Sequence, residues 1–449
     1  MDNKRANAMK KVTAVFIIIG FCRICSAAIT DNAANLIVPT GETYTLSGTH
    51  TYTSNIQIDG TLYVTQYNGS GTTGKLELIA PTITVGIAGL LDASGGGYSG
   101  DLGADNGPGG GGVCAGASYG GKGGRGGILS ITKDVYGSIT EPVDMGSGGG
   151  NNGSGYPGGR GGGTVKISAG GRITVNGMIS VNGSNGYASG GNTGGGSGGS
   201  VWIVCNIIDG AGIIRANGGS GYTNSGGGGG GRIAIYYGSN NFGGSITAYG
   251  GNGYQPGGAG TVYTKGASQS YGDLVIRNNN VSAIATDIVD GDYRFDNVFV
   301  KEKGSLNISG GDTFYTNNLY IQTSGAVTNA GDLHVPGNFV LDSGGTMTHN
   351  NGSFNNGDLV VGNGSTFVLN KKLALPNVVV KSGGLLTHTT GVSGFEVEAS
   401  GDITIESGGN IDASGGGYSG DLGADNGPGG GGVCAGASYG GKGGRGGIL

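Results

Sequence analysis

The sequence Asn297-Val-Phe-Val300 is the first copy of a tetrapeptide repeat that decides the fold of the second half of the chain. Its later copies are Asn318-Leu-Tyr-Ile321, Asn338-Phe-Val-Leu341, Asp358-Leu-Val-Val361, Asn377-Val-Val-Val380 and Asp402-Ile-Thr-Ile405. Their starts lie 21, 20, 20, 19 and 25 residues apart. A Gly or Ser-Gly turn follows each copy, and two further short β-prone segments complete the period. Three short strands per period of about 20 residues are typical of a triangular parallel β-solenoid.

This repeat predicts which residues occupy equivalent places on successive coils. The last residue of each copy is expected to point into the lumen at one lateral position: Val300, Ile321, Leu341, Val361, Val380 and Ile405. The first residue is expected to form a polar ladder at one corner, where a short side chain can bond neighbouring backbone: Asn297, Asn318, Asn338, Asp358, Asn377 and Asp402. Residues 80–413 are predicted to form one continuous solenoid.

The first half has the same strand pattern, interrupted by glycine-rich insertions. Ile131, Ile167, Ile203 and Ile235 have spacings of 36, 36 and 32, which exceed one coil by the length of a loop. Glycine is 109 of 449 residues without a strict Gly-X-Y period, which excludes collagen. The predicted fold is therefore all-β: a right-handed parallel β-helix with coils of about 20 residues and stacked glycine-rich loops in its N-terminal half.

The N-terminus predicts export. Basic residues precede an apolar run from Val12 to Phe21, and small residues follow at Ser26, Ala27 and Ala28. Residues 1–28 are therefore predicted to be a secretory signal peptide, which directs the protein outside the cell or to its surface. Removing them leaves a net charge of −9, which argues against a nucleic-acid partner, and leaves no later apolar segment long enough to span a membrane.

The remaining chain divides by composition. We predict an N-terminal capping region at 29–80, coils with glycine-rich loops at 81–266 and plain coils at 267–411. Residues 412–449 repeat residues 92–129 without change over 38 positions and are predicted to begin a second glycine-rich module. The chain is accordingly expected to be a fragment of a longer repeat protein. A recent duplication followed by a true terminus is the alternative.

Residues 165–264 carry a resemblance to known proteins. The phrases Gly-Gly-Ser-Val-Trp-Ile at 198–203, Gly-Gly-Gly-Gly-Arg-Ile-Ala-Ile-Tyr-Tyr at 228–237 and Gly-Ser-Ile-Thr-Ala-Tyr-Gly-Gly at 244–251 resemble glycine-rich repeat proteins of bacterial secretomes and surfaces. Adhesin passengers and pectin-lyase-like proteins share the architecture. The resemblance implies an extracellular structural or adhesive β-helix and transfers no catalytic residue.

A carbohydrate-active enzyme on the same fold is the second hypothesis. Its site would need clustered carboxylates, and the one dense group is Asp287, Asp290, Asp292 and Asp296 around Arg294, for which a solvated turn is the preferred interpretation. His349 and His388 share a repeat position without the further ligands of a metal site. We therefore predict no catalytic residue, no metal and no cofactor. Scattered Thr phrases leave an ice- or mineral-binding surface as a third, weaker hypothesis.

Tyrosines in the glycine loops are the candidate binding residues. Tyr156, Tyr187, Tyr222 and Tyr254 are 31, 35 and 32 residues apart, which predicts an aromatic row on one side of the solenoid that could bind an extracellular polysaccharide. Lys122, Arg125 and Arg160 at the loop bases are expected to add positive charge. The competing interpretation is that each ring only packs over its own loop.

Overall fold

The computed structural model describes residues 28–100, 106–127, 130–187, 191–288, 292–390 and 395–417. The predicted signal peptide up to residue 27 and the repeat from residue 418 onward lie outside them. The regular elements of the described residues are all β-strands. In chain order they are β1 (Thr30–Asp31), β2 (Asn35–Val38), β3 (Thr43–Leu46), β4 (Gly48–Thr51), β5 (Asn55–Ile58), β6 (Thr61–Val64), β7 (Lys75–Val85), β8 (Leu90–Asp92), β9 (Thr164–Val175), β10 (Met178–Ser180), β11 (Ser200–Gly210), β12 (Ile213–Arg215), β13 (Arg232–Phe242), β14 (Ser245–Thr247), β15 (Thr261–Gly266), β16 (Asp273–Arg277), β17 (Thr286–Asp287), β18 (Asp292–Lys301), β19 (Ser305–Ile308), β20 (Thr313–Ile321), β21 (Ala326–Asn329), β22 (Asp332–Val335), β23 (Phe339–Leu341), β24 (Thr346–His349), β25 (Phe354–Asn356), β26 (Leu359–Val361), β27 (Thr366–Leu369), β28 (Leu373–Leu375), β29 (Val378–Val380), β30 (Leu385–Thr387), β31 (Val397–Ala399), β32 (Ile403–Ile405) and β33 (Asn410–Asp412).

These strands pair into long parallel sheets. One sheet runs β3-β6-β8-β10-β12-β14, a second runs β17-β19-β21-β24-β27-β30-β33, and β28 pairs with β31. The other 18 strands of the described residues belong to a single large sheet. Within it, only β1–β2 and β15–β16 are antiparallel among the described pairs. Strands distant in sequence thus stack in parallel, an arrangement compatible with a β-solenoid.

Alternating burial along the strands builds the core. In β19, β21, β24, β27 and β30 the inward residues are Leu306, Val327, Met347, Phe367 and Leu386, each at most 1% exposed. The intervening residues are half-buried and face outward, as the two-residue period of a strand requires. Burying one such side chain contributes about 1.5–3 kcal/mol, so the free energy of folding accumulates repeat by repeat.

The predicted register of the second half is confirmed. Val300 pairs with Ile321, Ile321 with Leu341, and Leu341 with Val361. The column continues through Val380 to Ile405. The first five residues of the column are buried, whereas Ile405 keeps the register but is 51% exposed. Each repeat therefore lies directly on the previous one.

The predicted polar ladder is present as two hydrogen-bonded groups of three residues, Asn297 to Asn338 and Asp358 to Asp402, and no hydrogen bond among the described residues joins Asn338 to Asp358. Asn318 Nδ2 donates to Asn297 Oδ1 at 2.8 Å, and Asn338 Nδ2 donates to Asn318 Oδ1 at 3.0 Å. Further along, Asn377 Nδ2 donates to Asp358 Oδ1 at 2.9 Å, and the backbone N of Asp402 donates to Asn377 Oδ1 at 2.8 Å. The ladder starts one repeat earlier than predicted, because Asn297 Nδ2 also donates to Asp273 Oδ1.

The junction between the two halves corrects the prediction of one continuous parallel solenoid over residues 80–413. β15 and β16 pair antiparallel, with Val262 opposite Val275 and Tyr263 opposite Leu274. Val262 packs in the core of the first half, whereas Tyr263 and Leu274 pack in that of the second. Because successive side chains on a strand point to opposite faces, the two cores lie on opposite faces of the sheet at this point. The chain reverses direction through a turn that ends at Gly272, whose φ is +79°.

The first half contains the predicted strands but not the predicted place for Ile131. Ile167 pairs with Ile203, and Ile203 with Ile235. The partner of Ile167 on its other side is Leu78, whereas Ile131 is 77% exposed. Residues 93–163 thus form one long insertion between β8 and β9, whose described part contains no strand. The phrase Ser130-Ile-Thr132 lacks the two further apolar segments that would bury its inner face.

Candidate functional site

The glycine-rich segments of the first half form an ordered, hydrogen-bonded body, which we call the glycine lattice. The chain leaves the strands through residues 93–97, 182–186, 217–221 and 249–253 and returns through 158–163, 194–199, 226–231 and 257–260. Residues 109–124 and 146–150 of the long insertion lie against the returning segments.

Segment 194–199 shows how the lattice is bonded. Its backbone N–H groups donate in a three-residue cycle: Gly194 and Ser197 to one neighbouring segment, Gly195 and Gly198 to a second, and Gly196 and Gly199 to a third. Its carbonyl groups accept from three others. The six partners are segments 146–150, 226–231, 181–186, 158–163, 115–118 and 217–221. A three-residue cycle is the period of an extended polyproline-II-type helix, which has no internal hydrogen bonds and so can bond in all directions.

Close approach of backbones is why these positions are glycine. A Cβ added at Gly196 would overlap the carbonyl oxygen of Arg160, and one at Gly228 would overlap the carbonyl oxygen of Gly196. Neither glycine has a positive φ, so packing rather than backbone conformation excludes a side chain. Glycine therefore gives rigidity here, since every segment is clamped by its neighbours.

The four predicted tyrosines are exposed residues of the loops that build this lattice, and we call them the tyrosine row. The rings of Tyr156 and Tyr187 stack with centroids 6.5 Å apart and planes inclined by 18°. Tyr222 and Tyr254 belong to the next two loops, whose bases are in register. At the loop bases, Asn182 Oδ1 accepts from the backbone N of Asn217, which is 35 residues later. Asn217 Oδ1 accepts in the same way from the backbone N of Tyr249, which is 32 residues later. These offsets equal the separations of Tyr187 from Tyr222 and of Tyr222 from Tyr254.

The side chains of the tyrosine row are open to solvent. Tyr156, Tyr187, Tyr222 and Tyr254 are 40, 53, 40 and 65% exposed. Their backbones are fixed, because the N–H of Tyr222 donates to the carbonyl of Thr193 and that of Tyr254 to the carbonyl of Ser225. Their hydroxyl groups form no hydrogen bond with the described residues, unlike those of the buried Tyr119 and Tyr136. The row thus presents aromatic surface and polar tips on a rigid support.

The three cations expected near the row have mostly structural partners. Arg160 donates from Nε to the carbonyl of Gly95 and from Nη2 to those of Tyr67 and Gly97. Lys122 Nζ lies 3.2 Å from Asp134 and 3.0 Å from Asp287. Arg125 is exposed. The prediction of local positive charge is therefore wrong for Lys122, whose ammonium is paired with two carboxylates. Arg160 keeps its charge, although its guanidinium donates to backbone carbonyls of the loop base.

Arg232 is a residue that sequence reasoning missed. It is fully buried between the sheet and the long insertion, where Nε donates to the carbonyl of Tyr136 and the guanidinium lies 5.6 Å from the ring centroid of Tyr119. Burial lowers the pKa of Arg232. The Tyr119 hydroxyl is 2.6 Å from Ser200 Oγ on β11, so the insertion is anchored to the strands beneath it. The phrase Gly-Gly-Arg-Ile at 230–233 could have indicated this contact, because an arginine at the start of a buried strand needs hydrogen-bond acceptors nearby.

Two members of the acidic group at the junction, Asp287 and Asp296, have structural partners. Asp287 binds Lys122 and accepts from Asn307 Nδ2 at 2.8 Å, and Asp296 Oδ2 accepts from the backbone N of Tyr271 and Gly272. Asp290 lies outside the described residues, and only the backbone of Asp292 is described. Among the described residues, no group of three or more His, Cys, Asp and Glu side chains could hold a metal ion.

The histidines are not an adjacent pair. His349 pairs with Leu369 in the next strand, and His388 falls one strand further on. His349 is buried beside Asn329, whose Nδ2 lies 3.2 Å from its Nδ1. Cys114 and Cys205 are unbridged and buried, as small apolar residues would be.

Comparisons of this chain with protein-family models, curated proteins and solved structures found no significant match. Within the described residues, no helix has the length and hydrophobicity needed to cross a bilayer.

Proposed function

We propose that this protein is a secreted or cell-surface structural module that binds an extracellular polysaccharide through its tyrosine row. Its scaffold is a right-handed parallel β-helix with coils of about 20 residues, and residues 1–28 direct its export. Right-handed crossover of parallel strands is the general rule for such connections. The glycine lattice is the stack of loop insertions on one side of this scaffold.

One observation carries the proposal: four tyrosines in register are exposed although the loops that bear them are fixed. A tyrosine that only shielded its own loop would lie flat and buried, whereas these side chains are 40–65% exposed. Aromatic side chains offer large contact area with few rotors to freeze. Repetition along the axis lets a polymer contact several rings at once, so weak single contacts add up to strong retention.

The test is retention on insoluble cell-wall polysaccharide of a Tyr187→Ala/Tyr222→Ala double variant. Tyr271→Ala is the matched control, because Tyr271 is 42% exposed but lies at the junction of the two halves. We expect the double variant to lose retention at an unchanged melting temperature, and the control to be retained. Unchanged retention with a lower melting temperature in the double variant would show that the tyrosines are structural.

Catalysis is not part of this proposal. The support is that Asp287 and Asp296 are committed to a lysine and to backbone N–H groups, as described above. Pure protein should release neither reducing nor unsaturated ends from pectin-like polymers and should fold without calcium. Release of such ends, abolished by Asp290→Ala or Asp292→Ala, would establish the enzymatic alternative instead.

A further inference from the structure

A second surface, distant in sequence from the tyrosine row, has the form of a ligand site. It is a groove of about 600 Å³ lined by β23, β26 and the segments that follow β26, β29 and β32. We call it the valine groove, and its central residues are Val340, Val360, Gly362, Asp342, Lys381 and Glu406. A volume of this size is in the range of small-ligand sites.

The floor of the groove is apolar. Val340 and Val360 point outward and are half-buried in successive strands. On the N-terminal side the same outward column holds Tyr320 and Phe299, whose rings stack with centroids 4.9 Å apart and planes inclined by 9°. Outward positions of a parallel sheet that faces water are usually polar, so a continuous apolar column on this face needs an explanation.

A glycine opens the groove. Five residues hold one position after successive strands, because the backbone N of each donates to the carbonyl of an inward residue one repeat earlier. They are Gln322, Asp342, Gly362, Lys381 and Glu406, and they donate to Val300, Ile321, Leu341, Val361 and Val380 in that order. The absence of a side chain at Gly362 leaves a gap between Asp342 and Lys381. The carboxylate of Asp342 leans over this gap, since a Cβ at Gly362 would lie 2.7 Å from Asp342 Oδ1.

Two of the three charged groups around the gap have no partner among the described residues, whereas Asp342 Oδ1 accepts from the backbone N of Ser343 at 2.7 Å. Lys381 and Glu406 are exposed and form no ion pair with the described residues, although they occupy neighbouring repeats. Asn338 and Asn363 add amide groups at the rim. Charged and neutral hydrogen-bonding groups, both donors and acceptors, therefore surround the aliphatic floor of the groove.

We infer that the valine groove binds a neutral saccharide. A sugar ring has a C–H face that fits Val340 and Val360, and its hydroxyl groups both donate and accept, which matches a rim of ammonium, amide and carboxylate groups. A polyanion is disfavoured because Asp342 and Glu406, together with Asp358 and Asp402 of the adjacent ladder, outnumber Lys381. This inference is independent of the tyrosine row.

The experiment is calorimetric titration of the full chain with neutral hexasaccharides of glucose and of mannose, and with hexagalacturonate as the anionic probe. Lys381→Ala, and Val360→Arg, which fills the groove, should each weaken neutral binding at least about tenfold, the loss expected for one charge-assisted hydrogen bond. Lys301→Ala is the matched control, because Lys301 lies on the same face outside the groove. The Tyr187→Ala/Tyr222→Ala variant should bind as the parent does.

Three results would overturn the inference: no saturable binding of either neutral hexasaccharide, tighter binding of hexagalacturonate, or equal affinity in the parent and both groove variants. Melting curves of each variant separate loss of binding from loss of fold. Failure at the groove with intact retention through the tyrosine row would leave the proposed function standing.

Discussion

Asn318 Nδ2 donates a 2.8 Å hydrogen bond to Oδ1 of Asn297, the residue that holds the same place one repeat earlier. The Oδ1 of Asn318 accepts in turn from the backbone N and Nδ2 of Asn338, at 2.9 and 3.0 Å. One side chain thus links three repeats at the corner where the chain turns. The contact fixes the stacking register as well as contributing to stability.

Asn318→Ala should lower the free energy of unfolding by about 1–3 kcal/mol, because it removes three hydrogen bonds and leaves the groups of Asn297 and Asn338 without their partners. Urea unfolding measures this change. Asn317→Ala is the matched control, since Asn317 is exposed and its side chain makes one longer bond, of 3.2 Å to Asp296. Equal losses in the two variants would contradict a stabilising role for the ladder.

Gly196→Ala should destabilise the protein by about 3 kcal/mol, because the added methyl group overlaps the Arg160 carbonyl and the clamped backbone cannot yield. Gly243→Ala is the control, since nothing lies within 4 Å of a Cβ there and its φ is not positive. Thermal unfolding of both variants checks the difference. A harmless Gly196→Ala change would show that the lattice is looser than described.

Stability should fall in mild acid through His349. Burial, with the positive charge of Lys371, lowers its pKa from the ordinary 6.5 to about 4. The unfolded chain takes up the proton first, at pH values near 6.5. The contribution of neutral His349 to the free energy of unfolding is therefore complete above pH 6.5 and is lost as pH falls from 6.5 to 4, by at most about 3.4 kcal/mol.

His349→Leu tests this assignment, since Leu369 occupies the equivalent place in the next strand. The variant should lose the part of the pH dependence that falls between pH 6.5 and 4, as measured by urea unfolding at several pH values. An unchanged profile in the variant would assign the acid sensitivity to other groups.

The pairing register of the second half could be predicted because two residues in each repeat indicate it independently. One is an inward apolar residue such as Val300, and the other is a corner residue such as Asn297. Strand alternation then leaves one stacking that buries the apolar set. For the tyrosines the sequence spacing predicted only that their loops follow one another, and among the described rings the contact of Tyr156 with Tyr187 agrees with that spacing.

The junction could not be predicted. The chain reversal between β15 and β16 moves the buried core from one face of the sheet to the other, but the alternation of apolar residues along each strand stays the same. The hydrogen bonding of the glycine lattice could not be predicted either. Glycine has no side chain through which a sequence can specify its neighbours, so a run such as Gly226-Gly-Gly-Gly-Gly230 is compatible with a loose loop or with six bonded neighbours. Ile131 was misplaced because one short apolar phrase resembles a strand that has no partners.

The central claim is that glycine segments form a rigid support for the tyrosine row, and amide hydrogen exchange tests it most directly. Peptides covering segments 194–199 and 226–231 should exchange as slowly as those of β11, because their N–H groups donate to neighbouring backbone carbonyls. The exposed turn at 69–72, in which Ser70 is the one residue with a hydrogen-bonded backbone N–H, is the internal reference for fast exchange. Exchange of the glycine segments at the rate of this turn would contradict the account.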